Sequence, residues 1–549
     1  MADLPASVVA GSSVTVGWSQ SLTSFNATSN AGNTEGNREM AAVTRDAFAR
    51  LAGGEVVVDE SFGSVEVIDP SPSSFTVRYD LAERTWSDGI PIDAADLLLA
   101  WAAGSNATAG EFDSISSDLR RSSVVPAVDD FERRIDVTYA APVRDWHTAL
   151  DVAVPAHVVG ELALGVEDPM EAKQAVIDAI TDGDKGDLAD IAEAWNSGFD
   201  LGDANGALPE ALTVGSGPYL VTAVEGKEST TDVTLEVNRS YDGDNPPSYE
   251  RIEVVAGVDP LVGFPGDLDV VQISPTPDNF VTVRDLERRD QHVAETHSGE
   301  VWTLVLRADK GVFRSVEARR AFLRATPPAD LRSAGAGDWE GAYSASQSLL
   351  FAPESAGYDI SLDDAGFGAA FQSATSDAQG ERARAGVAAG TQVCVRYDTD
   401  EAFAAGAFQA LQASVAEAGW AVRDCGEPGI ESSLDRGQGW QAVLTKVSLP
   451  ESPTDITAVW GGKRRSPLTG ARSQERGRLV AQLDTTADVY DARELQVAIE
   501  AGLIQESVAL PLALDPVVTL SDRSMNAVLP DSGQAAALLG SAGLWGPEK

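Results

Sequence analysis

The sequence predicts a mixed α/β protein of more than one domain, and three observations support this prediction. The chain has 549 residues, which is too long for a single hydrophobic core and is typical of two or three domains. Segments in which apolar and polar residues alternate recur between segments with helical spacing. Residues 392–424 have the pattern of strand, helix and strand, and a crossover of this length requires parallel strands with a right-handed connection.

The composition argues against several classes of function. Acidic residues outnumber basic ones by 85 to 40, so the net charge is −45 and binding to nucleic acid is not expected. No segment approaches the roughly 20 apolar residues of a membrane span. The opening MADLP lacks the basic and apolar regions of a signal peptide. We therefore expect either a cytosolic protein or a mature form whose export segment has been removed.

Few residues are suited to catalysis or to metal binding. The chain has four histidines and two cysteines, and Cys394 and Cys425 cannot form a four-thiolate metal site. They form either one disulfide or two buried thiols, and their predicted places at opposite ends of neighbouring strands argue against the bond. His157 stands alone beside an apolar segment and is interpreted as a structural residue. We expect no enzyme activity, no metal site and no cofactor.

One segment, residues 74–101, organises the first half of the chain. Residues 75–80 alternate between apolar and polar, as in a half-buried strand. The Ser-Asp-Gly sequence at 87–89 predicts a turn, because glycine tolerates positive φ and aspartate can bond the backbone ahead of it. Asp93 can cap the helix that follows, and residues 97–101 supply its buried face.

The remaining elements follow from the same two periodicities. Alternation predicts strands at 13–18, 55–68, 134–140, 219–224, 252–255, 302–306, 393–397, 420–422, 441–444 and 508–512. Apolar residues three or four apart predict helices at 39–51, 313–322, 401–419 and 491–503. Polar or glycine-rich composition predicts a loop at 24–37, an acidic helical insertion at 161–208, and loop with helical pieces at 334–389.

Several motifs resemble those of one protein family. WSDGIPIDAAD at 86–96 resembles the signature of the peptide/nickel family of extracellular solute-binding proteins, family 5, which serve ABC importers. VGSGPY at 214–219 is similar to its GTGPY segment, and LEVNRSY at 235–241 is similar to its L-x-x-N-x-x-Y. A strand followed by GDLDV at 266–270 resembles the end of its first lobe. Because the motifs keep the family's order, the chain is identified as similar to oligopeptide- and dipeptide-binding members of the actinobacterial type.

The resemblance implies a two-lobed periplasmic-binding-protein-like α/β fold, type II, of the large peptide-binding class, with an extra subdomain in lobe I. It implies a discontinuous lobe I at 1–45, 210–306 and 508–549, its subdomain at 46–209, and lobe II at 307–507. Such a protein captures an oligopeptide between its lobes and delivers it to a membrane-embedded ABC permease. It is implied to act as a monomer outside the cell, as a periplasmic protein or a cell-surface lipoprotein whose signal segment is absent from this chain.

The resemblance also predicts binding residues. In peptide-binding members a carboxylate after the strand at 441–444 holds the ammonium group of the ligand. Ser448 stands at that position here, so either Glu451 or Asp455 substitutes, or the ligand lacks a free amino end. The full set of expected ligand contacts is Ser24, Phe25, Asn26, Gln272, Ser274, Trp440, Thr445, Ser448, Glu451, Asp455, Trp460 and Asp515.

Other ligands remain open on the sequence alone. The same fold can bind an oligosaccharide, an opine-like amino-acid conjugate or a metal chelate, and Ser448 favours these alternatives. From a different class, a secreted hydrolase is the remote alternative, since no nucleophile or metal motif appears. A heterogeneous set of bound peptides would distinguish the main interpretation from all of them.

Overall fold

The computed structural model describes residues 4–105, 111–116, 118–128, 133–202, 206–227, 230–366, 377–430, 439–526, 528–534 and 536–548. The first part of the chain forms β1 (Val9–Trp18), α1 (Glu35–Thr44), β2 (Ala49–Ala52), β3 (Glu55–Val58), β4 (Gly63–Ser71), β5 (Ser74–Leu81), α2 (Ala94–Gly104), β6 (Arg134–Tyr139), α3 (Ala156–Leu164), α4 (Pro169–Asp182) and α5 (Lys185–Ser197).

The chain continues with β7 (Gly206–Ala207), β8 (Tyr219–Lys227), β9 (Thr230–Val237), β10 (Tyr249–Ala256), α6 (Pro260–Gly263), β11 (Val270–Ile273), α7 (Phe280–Arg288) and β12 (His292–Leu306). The last part forms α8 (Val316–Arg324), α9 (Pro328–Ala336), α10 (Tyr358–Asp364), α11 (Ala378–Arg384), β13 (Thr391–Tyr397), α12 (Ala402–Glu417), β14 (Trp420–Asp424), β15 (Ala442–Ser448), α13 (Pro453–Trp460), α14 (Gln474–Leu483), α15 (Val489–Glu506) and β16 (Ala509–Ser521).

One long sheet runs through the described part of the molecule. Its strand order is β14-β13-β15-β12-β16-β11-β1-β10-β9-β8-β7. The two central strands, β12 and β16, pair antiparallel along most of their length, and the pairing shifts register between His297 and Val301. One side of this pair continues into β11 and β1, and the other continues into β15 and β13. The β12–β16 pair therefore connects the two halves of the sheet.

The predicted strand-helix-strand unit is confirmed. β13 and β14 are parallel neighbours, and α12 connects them. Cys394 and Cys425 form a disulfide with Cα atoms 5.7 Å apart. The prediction that the two cysteines lie at opposite strand ends is wrong. Cys394 pairs in register with Arg423, which is two residues before Cys425. Cys425 follows β14 directly, and its N–H donates to the carbonyl of Val395 at 3.1 Å.

The fold has three large buried cores, which separate along the chain. One contains residues of β1, α1 and β8–β10 with residues near the C-terminus, and a second spans Phe48 to Phe199. The third begins at Phe264 and extends to Leu520. This mixed α/β arrangement is that of a two-lobed periplasmic binding protein. We propose that lobe I, its subdomain and lobe II correspond to these three cores.

The family signature has a structural role in the subdomain. Asp93 caps α2, and Asp96 completes a capping box by accepting from the N–H of Asp93 at 3.0 Å. The carboxylate of Asp96 also accepts from the buried ammonium of Lys173 at 2.8 Å. The ring Nε2 of His157 is hydrogen-bonded to the carboxylate of Asp88 at 2.8 Å, which agrees with a structural interpretation of this histidine. These contacts hold the signature turn and α2 against α3 and α4.

Two predicted elements have different bounds in the structure. The helix expected at 39–51 ends at Thr44, because Phe48 turns into the subdomain core, where its ring lies 5.1 Å from that of Phe62, and the chain enters β2. The strand expected at 441–444 extends to Ser448, since pairing with β12 continues as far as Glu300 opposite Ser448. The second difference moves Thr445 and Ser448 from a predicted loop into a strand.

Candidate ligand-binding cleft

A cleft of about 430 Å³ lies between residues 51–58 and 144–147 on one side and residues 350–357, 449–451 and 486–496 on the other, and we propose that these two sides belong to lobe I and lobe II. Lobe I contributes the β2–β3 hairpin and the turn after β6. Lobe II contributes the segment at 350–357, the loop after β15 and the first half of α15. The irregular part of β12, at His297 and Gly299, and the segment at Gly533 and Gln534 complete the lining. The cleft thus has walls from both lobes and from the strand pair that connects them.

The β2–β3 hairpin forms one wall from lobe I. Its turn is Gly53-Gly54, and both residues have positive φ, at 58° and 79°, which favours glycine. This turn carries Glu55 towards lobe II. The following strand presents valines that are partly exposed, with Val56 at 40% and Val58 at 45%. An exposed apolar strand at the edge of a cleft is suited to contact an apolar ligand.

The turn after β6 forms the second wall from lobe I. The rings of Trp146 and His147 stack with centroids 3.4 Å apart, and the hydroxyl of Tyr79 donates to the carbonyl of Trp146 at 2.7 Å. Burial lowers the pKa of His147, because it disfavours the charged imidazolium. The turn therefore offers aromatic surface and an imidazole to the cleft.

The same turn carries an ion pair. Arg144 Nη1 donates to Asp145 Oδ1 at 2.6 Å. Burial raises the pKa of Asp145 to about 6, and although Arg144 lowers it, the nearby carboxylates of Asp118, Asp484 and Asp455 raise it further. Asp484 and Asp455 belong to lobe II, so the proton affinity of Asp145 depends on the approach of the lobes.

Helix α15 supplies much of the wall from lobe II. Val489, Ala492, Arg493 and Gln496 line the cleft, and their spacing places them on one helix face. One turn further, Glu500 is fully buried. Its carboxylate accepts from the hydroxyl of Ser348 at 2.6 Å, from the N–H of Leu349 at 2.7 Å and from the hydroxyl of Ser361.

The contacts of Glu500 also position the neighbouring part of the cleft wall. The segment that Glu500 holds contains Leu350 and Phe351, which line the cleft directly. Burial raises the pKa of Glu500, while the hydroxyl and N–H donors lower it. One helix therefore supplies its own lining residues and also positions a second part of the lobe II wall.

Hydrogen bonds cross the cleft from one lobe to the other. Glu55 Oε1 accepts from the N–H of Ala356 at 3.0 Å, and the carboxylate lies 3.4 Å from the guanidinium of Arg493. Arg144 Nη1 donates to the carbonyl of Glu451 at 3.3 Å. Beside the cleft, Arg121 donates to the carbonyl of Asp484 at 2.8 Å and pairs with its carboxylate. We interpret these contacts as those of a closed arrangement of the lobes.

The irregular part of β12 contacts the side chain of Glu354 and the backbone of Leu449 and Gly533. His297 Nε2 contacts Glu354 Oε2 at 3.0 Å, and the N–H of Gly299 donates to His297 Nδ1 at 3.1 Å. The hydrogen bond from His297 lowers the pKa of Glu354. Gly299 has φ of 81°, and a Cβ there would lie 2.4 Å from the backbone nitrogen of Gln534. Only glycine fits this position without displacing the neighbouring chain.

Of the residues expected to contact ligand, the structure places Glu451 in the cleft lining. Asp455 follows it at the start of α13, where its carboxylate accepts from the N–H and the hydroxyl of Ser452 in a capping box. Thr445 and Ser448 lie in β15, opposite Thr303 and Glu300 of β12. The carboxylate of Asp455 is therefore used within its own helix, which leaves Glu451 as the acidic side chain at the cleft in this segment.

The other expected residues lie outside the cleft lining. Trp440 and Trp460 are buried in the lobe II core, each 1% exposed, and the guanidinium of Arg307 lies 5.0 Å from the ring centre of Trp440. Asp515 accepts from Trp302 Nε1 at 2.9 Å, and burial raises its pKa.

The expected contacts from lobe I have structural partners as well. The hydroxyl of Ser24 and the N–H of Phe25 donate hydrogen bonds to the carbonyl of Phe199. The side-chain amide of Asn26 donates to the carbonyl of Trp195. Gln272 bonds Thr519, and the carbonyl of Ser274 accepts from Asn279. These residues connect β1 to the end of α5 and brace the strand ends of lobe I.

Sequence reasoning missed most residues of the cleft. Glu55, Arg144, Trp146, His147 and Arg493 all line it. Their signal in the sequence is weak, because each lies in a short turn or on a helix face of ordinary composition. The sequence VRDWH, which places a charged pair beside two rings four residues after the end of β6, is the one local pattern that points to a surface site.

Among the described residues, no group of three or more His, Cys, Asp or Glu side chains is placed to hold a metal ion. No helix in the described part of the chain combines the length and the apolar character needed to cross a bilayer.

Fold and cleft together define a two-lobed α/β binding protein. The chain belongs to the bacterial extracellular solute-binding proteins, family 5, whose family model matches residues 66–433. An uncharacterized lipoprotein of Mycobacterium tuberculosis is 29% identical over 200 residues, 34% of this chain and 33% of the relative. A similar lipoprotein of Mycobacterium leprae is 24% identical over 294 residues, 50% of this chain and 46% of the relative. The chain thus matches between a third and a half of the length of these curated relatives.

Solved structures share the fold over the whole chain. A periplasmic EDTA-binding protein, EppA, superposes with a TM-score of 0.77 at 16% identity, covering 100% of this chain and 98% of that one. The oligopeptide-binding protein AppA from Bacillus subtilis, solved with a nonapeptide, has a TM-score of 0.63 at 12% identity, covering 98% and 99%. At these identities the similarity establishes the fold alone.

Proposed function

We propose that this protein is the solute-binding component of an ABC importer and that its solute is a short oligopeptide. The observation that supports this function is the cleft, which has walls from both lobes and is crossed by hydrogen bonds between them. A ligand that contacts both walls favours the closed form over the open one, and the equilibrium shifts accordingly. A permease then distinguishes the loaded protein by its closed shape.

The size and lining of the cleft support a short ligand. Its volume of about 430 Å³ lies in the lower part of the range of roughly 300–1,000 Å³ that is typical of small-molecule sites. The lining combines apolar side chains such as Leu51, Phe351 and Leu449 with amide and imidazole groups. Amide groups of a peptide require hydrogen-bonding partners when they leave water, and this lining provides them.

The place of action is part of the proposal. Members of this family are extracellular, and the mycobacterial relatives are lipoproteins. We propose that the protein acts on the outer side of the cytoplasmic membrane as a lipid-anchored or periplasmic monomer.

Native mass spectrometry of the purified full chain tests the proposal. We expect a heterogeneous set of added masses that fragment as peptides and that disappear when the protein is unfolded, washed and refolded. A single mass that fragments as a sugar, an opine or a metal complex would contradict the peptide proposal. Catalysis is tested separately, by incubating released peptides with refolded protein, and we expect them to remain intact.

A further inference from the structure

The charged side chains of the cleft are engaged with partners in the protein. Five lining residues carry a formal charge: Glu55, Arg144, Asp145, Glu451 and Arg493. Glu55 pairs with Arg493, and Arg144 pairs with Asp145. The carbonyl of Glu451 accepts from Arg144, and its N–H donates to the carboxylate of Asp455. In the described lining, therefore, four of the five charged side chains form ion pairs with one another before any ligand enters.

Two of these contacts also connect the lobes. The carboxylate of Glu55, on lobe I, contacts Arg493 and the N–H of Ala356 on lobe II. Arg144, on lobe I, donates to the carbonyl of Glu451 on lobe II. A ligand carboxylate that bound Arg493, or a ligand ammonium that bound Glu55, would replace the ion pair between these two residues, which connects the lobes. Charged ligand ends thus compete with closure instead of adding to it.

The rest of the lining is apolar or uncharged. Leu51, Val56 and Val58 face the cleft from lobe I, and Leu350, Phe351, Leu449, Pro450 and Val489 face it from lobe II. Its uncharged polar groups include His147, Gln496 and Gln534. Such groups can bond amides, but they do not compensate a buried ammonium or carboxylate, and an uncompensated buried charge is costly.

We propose that the cleft selects short peptides that are uncharged and apolar, with blocked or cyclised ends, over peptides with free ammonium and carboxylate ends. This inference rests on the proposed peptide-binding function. It bears on the question that Ser448 raises in the sequence, because Ser448 lies in β15 and the carboxylate of Asp455 caps α13. A ligand without a free amino end needs no carboxylate to hold it.

Isothermal titration calorimetry on the full chain, freed of co-purified solute, tests the proposal. The two probes are N-acetyl-Leu-Phe-amide and the zwitterion Leu-Phe, which share their side chains and differ in end charge. We expect the blocked peptide to bind at least about tenfold more tightly, which corresponds to about 1.4 kcal/mol. Equal or tighter binding of the zwitterion would overturn the inference and leave peptide binding itself intact.

A variant provides a second, independent measurement. Glu451→Gln removes the cleft charge best placed to hold an amino end, without changing the size of the side chain. We expect the affinity ratio of the two probes to stay the same in this variant. A loss of affinity confined to Leu-Phe would show that Glu451 holds an ammonium group and would overturn the inference. If neither probe binds and native mass spectrometry detects no peptide, the inference and the proposed function both fail.

Discussion

At the scale of single residues, Glu55 makes the most direct contact across the cleft. Its carboxylate is 42% exposed, while the Arg493 side chain that it faces is 19% exposed. Pairs that are accessible to solvent contribute little, about 0.2–1 kcal/mol, because water and salt screen them. Glu55 should therefore adjust the closure equilibrium without determining whether the protein folds.

Replacing Glu55 with glutamine tests this role. The amide oxygen can still accept from the N–H of Ala356, but the charge opposite Arg493 is lost. We expect dissociation of the co-purified solute to accelerate by up to about fivefold, with no change in the thermal unfolding midpoint. Stopped-flow fluorescence measures the rate. Glu66→Gln, at an exposed position on β4, is the matched control, and an equal effect there would contradict the assignment.

Glu500 has the opposite character, because it is fully buried. Glu500→Ala leaves the hydroxyls of Ser348 and Ser361 and the N–H of Leu349 without their acceptor. We expect a loss of about 3 kcal/mol in the stability of lobe II and faster hydrogen exchange at 348–361. Glu500→Gln retains an acceptor and should lose much less. Equal exchange rates in wild type and the alanine variant would contradict the positioning role.

At the scale of elements, the turn after β6 connects proton binding to closure. Asp145 lies between Arg144 of its own turn and the carboxylates of Asp484 and Asp455 on lobe II. Burial raises its pKa to about 6 in the closed structure. Opening exposes the group and moves its pKa back towards 3.8. The closed form therefore binds a proton more readily than the open form between these values.

The sign of the pH effect follows directly. Because the pKa is higher when the lobes are closed, closure is favoured as pH falls below about 6 and loses this contribution as pH rises through it. We expect the affinity for the co-purified solute to be higher at pH 5 than at pH 7.5, by up to about tenfold, because pH 5 lies about one unit below the pKa of the closed form. Asp145→Asn should flatten the profile, and an unchanged profile would refute the prediction.

The sequence predicted the helices and strands better than it predicted the residues that line the candidate cleft. The strand-helix-strand unit at β13–β14 has a strong periodicity and short connections, and it appears as predicted. The length of β15 could not be predicted, because it depends on pairing with β12, more than a hundred residues earlier in the chain. That one difference moved Thr445 and Ser448 out of the predicted binding loop.

At the scale of the whole molecule, the three cores imply three units, each with its own free energy of unfolding. The disulfide between Cys394 and Cys425 closes a loop across 31 positions within lobe II. In the chain-entropy model such a cross-link contributes about 2–4 kcal/mol. The double variant Cys394→Ala/Cys425→Ala should lower the free energy of unfolding of lobe II by this amount and leave that of the other cores unchanged. Hydrogen exchange under mild denaturant resolves the units, and equal loss in all cores would contradict this picture.

The overall architecture was accessible from the sequence because motif order constrains topology. The lining of the candidate cleft was not, since it arises where residues 51–58, 144–147 and 489–496 meet, and this meeting depends on the tertiary fold. The aromatic residues illustrate the limit: Trp440 and Trp460 were expected at the cleft and lie in the core, whereas Trp146 lines the cleft. Composition alone does not distinguish these environments.

Small-angle X-ray scattering tests the central claim, that this protein closes around a captured solute. The radius of gyration is measured for the refolded, solute-free chain before and after addition of the solute fraction released by heat from the protein as purified. We predict a decrease on addition that saturates at a one-to-one ratio, because the ligand favours the closed lobes. An unchanged radius of gyration, with the solute shown to be bound, would contradict the account.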